Sequence, residues 1–325
     1  MHKRLDKYLS INNLLCNHQF GFKKGLCTSD ALAEFVDIAY DAINASAKFI
    51  AIYLDFSKAF DTVNIEILLA KLYHMGVRGN IHCWFRSFLS ERRHFVAIGK
   101  EISSEFVSSL GVPQGAVLAP LLFLIYVNDM FKSCPKLEII HYADDTTAFI
   151  RGDNLTYLQT IINTELNSIN TWLQCNRLTL NIQKSSYMVF SHEEALLNII
   201  ISNINLVKVE KIKFLGVIFD VKLSFKFHYE ELLSKLSRVV GISYKSRYLV
   251  PEAVLRTLYL SLGWSHMSYG VVIWGMANQT YRNKLQLLQN RIIKNIYASN
   301  NLSVYKRNGL LRFMVYLVSL ITLPQ

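Results

Sequence analysis

An α+β fold with a basic, mainly helical C-terminal part is what this sequence predicts, and three observations predict it. Short runs of β-branched and aromatic residues alternate with helix-period stretches up to about residue 220. From there on the pattern is helical. The charge changes at the same place: residues 1–220 carry 21 Lys and Arg against 21 Asp and Glu, whereas residues 221–325 carry 14 against 3 and hold the whole formal net charge of +11. With 325 residues, 51% of them hydrophobic, the chain can bury one large core or two to three subdomains, and its composition argues against disorder.

The first clear helix runs from Ser29 to Ala45, where Leu32, Phe35, Val36, Ala39 and Ile43 keep the period and Thr28 or Ser29 serves as cap. Phe49 to Leu54 reads as a buried strand ending at Asp55. A helix from about Asn64 to His74 closes at Met75 and Gly76, a second runs from about Gly79 through Phe88, and a strand lies around Phe95 to Ile98. After Phe106 to Ser109, GVPQG is a turn. The apolar run from Ala116 to Val127 then reads as a buried helix, since its 12 residues between Gln114 and Asp129 are too few to span a membrane.

Glu138 to Tyr142 and Thr146 to Ile150 are short strands around a turn of Ala143, Asp144 and Asp145. Leu155 to Leu173 is an amphipathic helix, Tyr187 to Phe190 a strand, and Lys213 to Phe219 a further short strand. Residues 227–241, 251–262 and 281–297 read as helices, the last with Leu285, Leu288, Ile292 and Ile296 on its apolar face. The apolar tail after Lys306 and Arg307, interrupted by Arg312, suits a helix that packs on a neighbour.

Cys16, Cys27, Cys83, Cys134 and Cys175 form no CxxC pair and no metal-ligand spacing with the nine histidines, which points to a reducing, intracellular setting. The amino terminus MHKRLDKYLS is too charged to begin a secretory signal, and no membrane partner is expected. The basic excess suits a polyanion-binding region, nucleic acid first, with solubility or a membrane surface as alternatives.

Asp144 and Asp145 carry the chemistry. Adjacent carboxylates between two apolar runs repel one another unless a cation compensates them, and at a tight hairpin both stay near one rim. An ordinary acidic turn on a solvated hairpin is the alternative. Asp55, 89 residues earlier at the end of FIAIYLDF, is a third carboxylate that a central strand end can bring to that hairpin. Such a cluster suits two divalent cations about 4 Å apart, Mg²⁺ before Mn²⁺ because oxygen ligands and phosphate favour hard ions. Spacing alone leaves a nuclease open.

LDFSKAFDTV, SSLGVPQGAVLAPLLFLIYVNDM, HYADDTTAF, WLQCNRLTLNIQKS and KFLGVIFD occur in that order across most of residues 17–220. Together they closely resemble the successive motifs of reverse transcriptases of non-LTR (LINE-like) retrotransposons. The resemblance implies a right-hand polymerase: partial fingers over 1–48, a palm with inserted fingers elements and the primer-grip region over 49–220, and a helical, basic thumb with connecting region over 221–325. It implies RNA-directed DNA synthesis with an RNA template, a DNA primer and deoxynucleoside triphosphates, in a nuclear or cytoplasmic ribonucleoprotein. QFGF lies close to the amino terminus, so the resemblance also implies that much of the fingers and any endonuclease lie outside the chain and come from a partner.

By the same resemblance Asp55 and Asp144 are the principal metal-binding carboxylates, Asp145 assists, and Lys184 stabilises or protonates the departing pyrophosphate. Asp61 falls outside that set and reads as a helix-start or hydrogen-bonding carboxylate. The nucleotide-binding candidates are Lys23, Lys24, Phe56, Phe60, Gln114 and Gly115. Among them Phe60 matches the steric gate against a 2′-hydroxyl, with core packing as its alternative, Gln114 and Gly115 belong to the positioning loop, with a structural turn as theirs, and Phe56 also has core packing as its alternative. Lys23 matches the fingers' basic position better than Lys24, while Leu26 and Cys27 depart from the family pattern there. Phe214, Leu215 and Gly216 resemble the primer-grip turn, and Lys235, Arg238, Lys245, Arg247, Arg282 and Lys284 are among the candidate phosphate contacts. Tyr269 and Trp274 either stack on bases or pack. Two other readings stand beside this one: a group II intron-like reverse transcriptase and a noncatalytic nucleic-acid-binding remnant.

Overall fold

Six consecutive apolar or aromatic residues, Phe49 to Leu54, leave their strand no face for water, so it belongs at a sheet centre. The structure, a computed structural model, puts it there. Strand β1 (Lys48–Asp55) is the middle member of a five-stranded sheet with β6 (Glu138–Tyr142), β7 (Asp145–Gly152), β8 (Ser186–Phe190) and β11 (Val207–Lys208), in the order β11–β8–β1–β7–β6. All neighbours are antiparallel except β11 and β8. Residues 1–190, 196–275 and 278–297 are described, and the predicted apolar tail after Lys306 lies outside them. The described residues form two compact units, Met1–Ala31 with Asp37–Val209, and Leu32–Val36 with the described residues from Glu210 onward.

The helices of the first unit are α1 (His2–Ile11), α2 (Thr28–Asn44) apart from its Leu32–Val36 segment, α3 (Ile65–His74), α4 (Gly79–Leu89), α5 (Ala119–Val127) and α6 (Leu155–Cys175). Ile50, Ile52 and Leu54 of β1 share a buried cluster with Leu68, Leu122, Phe123, Ile162 and Ile169. Helix α5 is apolar all round and buried at every position except Pro120, as such a helix must be. The Asn64 side chain caps α3 by accepting from the Ile67 N–H at 3.1 Å. The cap of α2 is Cys27, one residue before Thr28 and two before Ser29, the predicted caps. Asp30 reaches back to accept from the Cys27 N–H at 2.6 Å, and a carboxylate three residues into the helix outcompetes the hydroxyls there.

The single strand expected around Phe95 is a projecting hairpin, β2 (Arg92–His94) and β3 (Ala97–Ile98) against β4 (Glu101–Ile102) and β5 (Phe106–Ser108). Its ladder breaks where the Ser103 hydroxyl, rather than a carbonyl, accepts from the Val96 N–H. A small hairpin of β9 (Ile200–Ile201) and β10 (Ile204–Asn205) precedes β11.

The second unit begins with β12 (Lys211–Phe214) and β13 (Val217–Asp220), a hairpin where one strand was expected. Leu215 and Gly216 make the reversal with left-handed φ of 42° and 84°. Phe35 from the α2 segment of this unit packs edge-on against Phe214 and Phe219, with ring centroids at 5.6 and 5.5 Å. Helices α7 (Lys226–Ser246), α8 (Glu252–Tyr259), α9 (Ser265–Ser268), α10 (Val271–Trp274) and α11 (Gln279–Ile296) follow, with a π-turn at Leu260–Trp264. On α11, Gln289 takes a buried place that the apolar period assigned to Leu288, because its Nε2 donates to the buried Tyr259 hydroxyl at 2.8 Å.

Candidate active site

The β6–β7 turn has two residues, Ala143 and Asp144, because Asp145 already pairs with Tyr142 as the first residue of β7. Asp145 is also the register partner of Asp55, the last residue of β1. Backbone pairing alone therefore brings two carboxylates opposite one another, with the third next to them in the turn. Ala143 holds a left-handed φ of 58° to close that turn.

Asp145 reaches solvent as a residue, yet its carboxyl is partly desolvated. That desolvation, followed by the negative charges of Asp144 and Asp55, pushes its pKa above the usual carboxylate value. None of the three forms an ion pair among the described residues. As placed they interact without closing into a ligand cluster: among the described residues no group of three or more His, Cys, Asp or Glu side chains is set to hold a metal ion.

The end of β1 is held by the loop that carries Lys184. The Asp55 N–H donates to Ser185 Oγ at 3.2 Å, the Asn181 N–H donates to the Asp55 carbonyl at 2.8 Å, and Ser185 Oγ donates to the Asn181 carbonyl at 2.9 Å. Ser57 extends this pairing to the Thr179 carbonyl at 2.8 Å. Lys184 itself is exposed on the same loop. Phe56 bridges to Leu180 and is 5% exposed in the core, so its side chain packs there, the alternative given for it, and has no surface to offer a nucleotide.

The QFGF segment braces the hairpin from its open edge. Gln19 pairs in parallel with His141, the Phe20 N–H donates to the His141 carbonyl at 2.8 Å, and a Cβ on Gly21 would stand 2.3 Å from the Ala143 nitrogen. His141 is fully buried; burial, with a smaller contribution from His18, pulls its pKa down to about 4, and its neutral ring meets Thr146 Oγ1 at 2.9 Å.

Phe60 is half-buried, stacked on Phe123 at 4.4 Å between centroids and edge-on to the exposed Phe22 at 6.2 Å. Beside it the GVPQG loop is pinned. The Val112 N–H donates to the Phe60 carbonyl at 2.9 Å, and Arg92 Nη2 donates to the carbonyls of Leu110 and Gly111 at 2.7 and 2.6 Å. Gln114 donates from Nε2 to Asp61 Oδ1 at 2.7 Å, while Gly115 turns with φ 87° and open space where a Cβ would stand. Asp61 is thus the hydrogen-bonding carboxylate of its two readings. Asn181, Ser185, Gly21 and Arg92 had no sequence signal beyond their places inside or beside the motifs.

Lys23 is partly buried and spends one donor on the Cys16 carbonyl at 2.9 Å, and burial holds its pKa down; Lys24 is exposed. In the second unit, Tyr269 donates to the Leu215 carbonyl at 2.7 Å and lies where a Cβ on Gly216 would stand, 2.8 Å from its ring. Phe214 is buried. Trp274 is 3% exposed and packs edge-on to Tyr229, which makes it a packing residue. Lys235 pairs with Glu231 at 2.5 Å, and the Arg247 guanidinium lies over Tyr244 and Tyr248 at 4.0 and 4.7 Å.

An α+β sheet with a carboxylate-bearing hairpin against a carboxylate-ended central strand is the frame in which comparison with known proteins is informative. Residues 1–219 match the family model described as reverse transcriptase (RNA-dependent DNA polymerase). The chain belongs to that family. It is 26% identical over 311 residues to the probable RNA-directed DNA polymerase from transposon X-element of Drosophila melanogaster, covering 90% of this chain and 33% of the relative. To the RNA-directed DNA polymerase from mobile element jockey of the same organism it is 26% identical over 307 residues, with the same coverage of 90% and 33%. A putative 115 kDa protein in the type-1 retrotransposable element R1DM is 24% identical over 266 residues, 80% of this chain and 25% of that protein. The resemblance drawn from the ordered motifs is borne out. The chain spans about a third of the length of the first two of these relatives.

Among solved structures, telomerase from Candida albicans in complex with a TWJ fragment of telomeric RNA superposes with a TM-score of 0.52 at 11% identity, over 99% of this chain and 56% of that one. The corresponding Candida tropicalis complex gives 0.50 at 14%, over 95% and 56%. These likenesses establish a shared mixed α+β fold. No helix among the described residues is long and apolar enough to cross a membrane.

Proposed function

We propose that this chain carries the RNA-directed DNA polymerase activity of a non-LTR retrotransposon, adding deoxynucleotides to a primer 3′-hydroxyl. The observation that carries the reading is the pairing of Asp55 with Asp145 at the end of the β1–β7 ladder, with Asp144 in the adjoining turn. Three oxygen-donor side chains, of which Asp145 is held above its usual pKa by desolvation and by the charges of Asp144 and Asp55, and which form no ion pair among the described residues, fit a hard divalent cation, Mg²⁺ before Mn²⁺. Asp55 and Asp144 would hold it with Asp145 assisting. Asp144 and Asp145 are exposed and can rotate, and the backbone pairing needs no rearrangement. When bound, such ions lower the pKa of the attacking hydroxyl and stabilise charge on the departing pyrophosphate.

The chain's own residues then have distinct tasks. The 3′-oxygen attacks the α-phosphorus, the bond to the pyrophosphate oxygen breaks, and the hydroxyl proton is lost; alignment of the two reactants supplies much of the rate. The first unit acts as palm with fingers elements. Phe60, steadied by Phe123, stands as the wall against a 2′-hydroxyl. Gln114 and Gly115 position the nucleotide and its template partner, and Lys184 and the lysines 23 and 24 answer phosphate charge. In the second unit the hairpin turn at Leu215 and Gly216 serves as primer grip and the basic helices as thumb, gripping RNA and DNA backbones with affinity that falls with salt.

The test is primer extension by the purified chain on RNA and DNA templates, with and without Mg²⁺. Extension on RNA that requires the cation supports the proposal. Tight template–primer binding with no extension on either template would leave a nucleic-acid-binding remnant instead.

A further inference from the structure

Asp61 has no part in the reaction as proposed, yet Gln114 rests on it. The contact is Nε2 to Oδ1 at 2.7 Å, and both residues are exposed on the same rim. Behind it the backbones of two segments are joined: the Gly111 N–H donates to the Val63 carbonyl at 2.8 Å, the Val112 N–H donates to the Phe60 carbonyl at 2.9 Å, and Asn64 bridges to Leu110. Gly111, at φ 78°, lies so close to Asp61 that a Cβ would stand 2.7 Å from its carbonyl oxygen. The turn bearing Phe60 and the loop bearing Gln114 are therefore one body. Asp61 is not the cap of α3, since Asn64 fills that role.

An ionised carboxylate offers only acceptors, so the carboxamide of Gln114 must turn its NH₂ inward to meet it. Its Oε1 is then the outward pole, and Gln114 has no other hydrogen-bond partner among the described residues. We propose that Asp61 is a positioning residue that fixes the amide of Gln114 so that an acceptor faces the incoming deoxynucleoside triphosphate. The group it meets is a hydroxyl or amine donor of the sugar or base, since a phosphate would need the opposite pole. This inference rests on the assignment of Gln114 to nucleotide positioning.

Single-nucleotide addition by the full chain, normalised to titrated active sites, separates this from a structural role. Asp61→Ala is expected to raise KM for the nucleotide about tenfold, with kcat within about twofold and template–primer affinity unchanged. Gln114→Glu, which sets two carboxylates face to face, is expected to lose more. The double variant Asp61→Asn with Gln114→Glu restores a donor–acceptor pair and is expected to recover most of that loss. A KM unmoved by Asp61→Ala, or a double variant no better than Gln114→Glu, overturns the proposal.

A second readout needs no catalysis. In the free chain the Gln114 side-chain amide resonances should move when Asp61→Ala removes their acceptor. Amide resonances indifferent to Asp61→Ala overturn the positioning role even if the chain extends primers well. Failure of the wild-type chain to extend any primer would strike the polymerase reading instead.

Discussion

Asp55 and Asp145 face one another as the last register pair of the antiparallel ladder between β1 and β7. Directly opposed residues project from the same side of a sheet, and like charges so placed destabilise it. The fold thus maintains an unfavourable electrostatic contact at one rim, adds Asp144 beside it, and supplies no ion-pair partner there among the described residues. Such an arrangement is tolerable in a site built to receive a cation.

One consequence is a pH dependence of known sign. Folding holds the Asp145 carboxyl above its ordinary pKa, so its contribution to stability is fully present below that ordinary value and is lost as pH rises through the raised one. Without divalent cation, Asp145→Asn should raise Tm at about pH 7 and leave it nearly unchanged at about pH 3. Thermal melts at the two pH values decide this; an equal change at both would mean that packing, not charge, is responsible.

Gly21 tests the brace on the hairpin. A methyl there would meet the backbone of Ala143 and Tyr142 at 2.3 and 2.9 Å, where no flexible side-chain end can yield. Gly21→Ala is expected to cost about 1–3 kcal/mol in urea unfolding and to depress extension further by displacing the turn that carries Asp144. Wild-type stability in this variant would show that the segment does not pack on the hairpin.

Ser185 holds the other side of the site. Its hydroxyl accepts from the Asp55 N–H and donates to the Asn181 carbonyl, and the residue is 1% exposed. Ser185→Ala leaves a backbone donor without its partner and is expected to cost about 1–3 kcal/mol of stability, with kcat falling more than nucleotide KM rises. Steady-state kinetics beside urea unfolding will separate the two effects.

Phe60 is the specificity test. Replacement by Val keeps an apolar side chain on the turn but removes the ring stacked on Phe123. Ribonucleotide incorporation relative to deoxynucleotide should rise on the order of tenfold to a hundredfold, measured as the ratio of kcat/KM values. An unchanged ratio would make Phe60 a packing residue.

The carboxylates were legible in the sequence because charge at the edge of an apolar run is locally conspicuous. Asp55 ends a strand with no other charged residue after Lys48, and Asp144–Asp145 interrupt two strand-forming runs. The supports were hidden because they depend on pairing between distant segments. Gln19 meets His141 and Ser185 meets Asp55 across more than a hundred residues, and neither leaves a periodic trace. The hairpin at Lys211–Asp220 read as one strand because Leu215 takes a left-handed φ that a branched aliphatic residue seldom adopts, so only Gly216 signalled a reversal. In the sequence Asp61 reads as a helix-start or hydrogen-bonding carboxylate, and nothing there points to its partner, since Gln114 lies 53 residues away.

The most direct measurement compares wild type and Asp144→Asn in primer extension on an RNA template with Mg²⁺, alongside template–primer binding. This account predicts that the variant binds template–primer with wild-type affinity and loses extension by at least about a thousandfold, because one carboxylate of the metal site is gone while the nucleic-acid contacts remain. Extension by Asp144→Asn at the wild-type rate would contradict it.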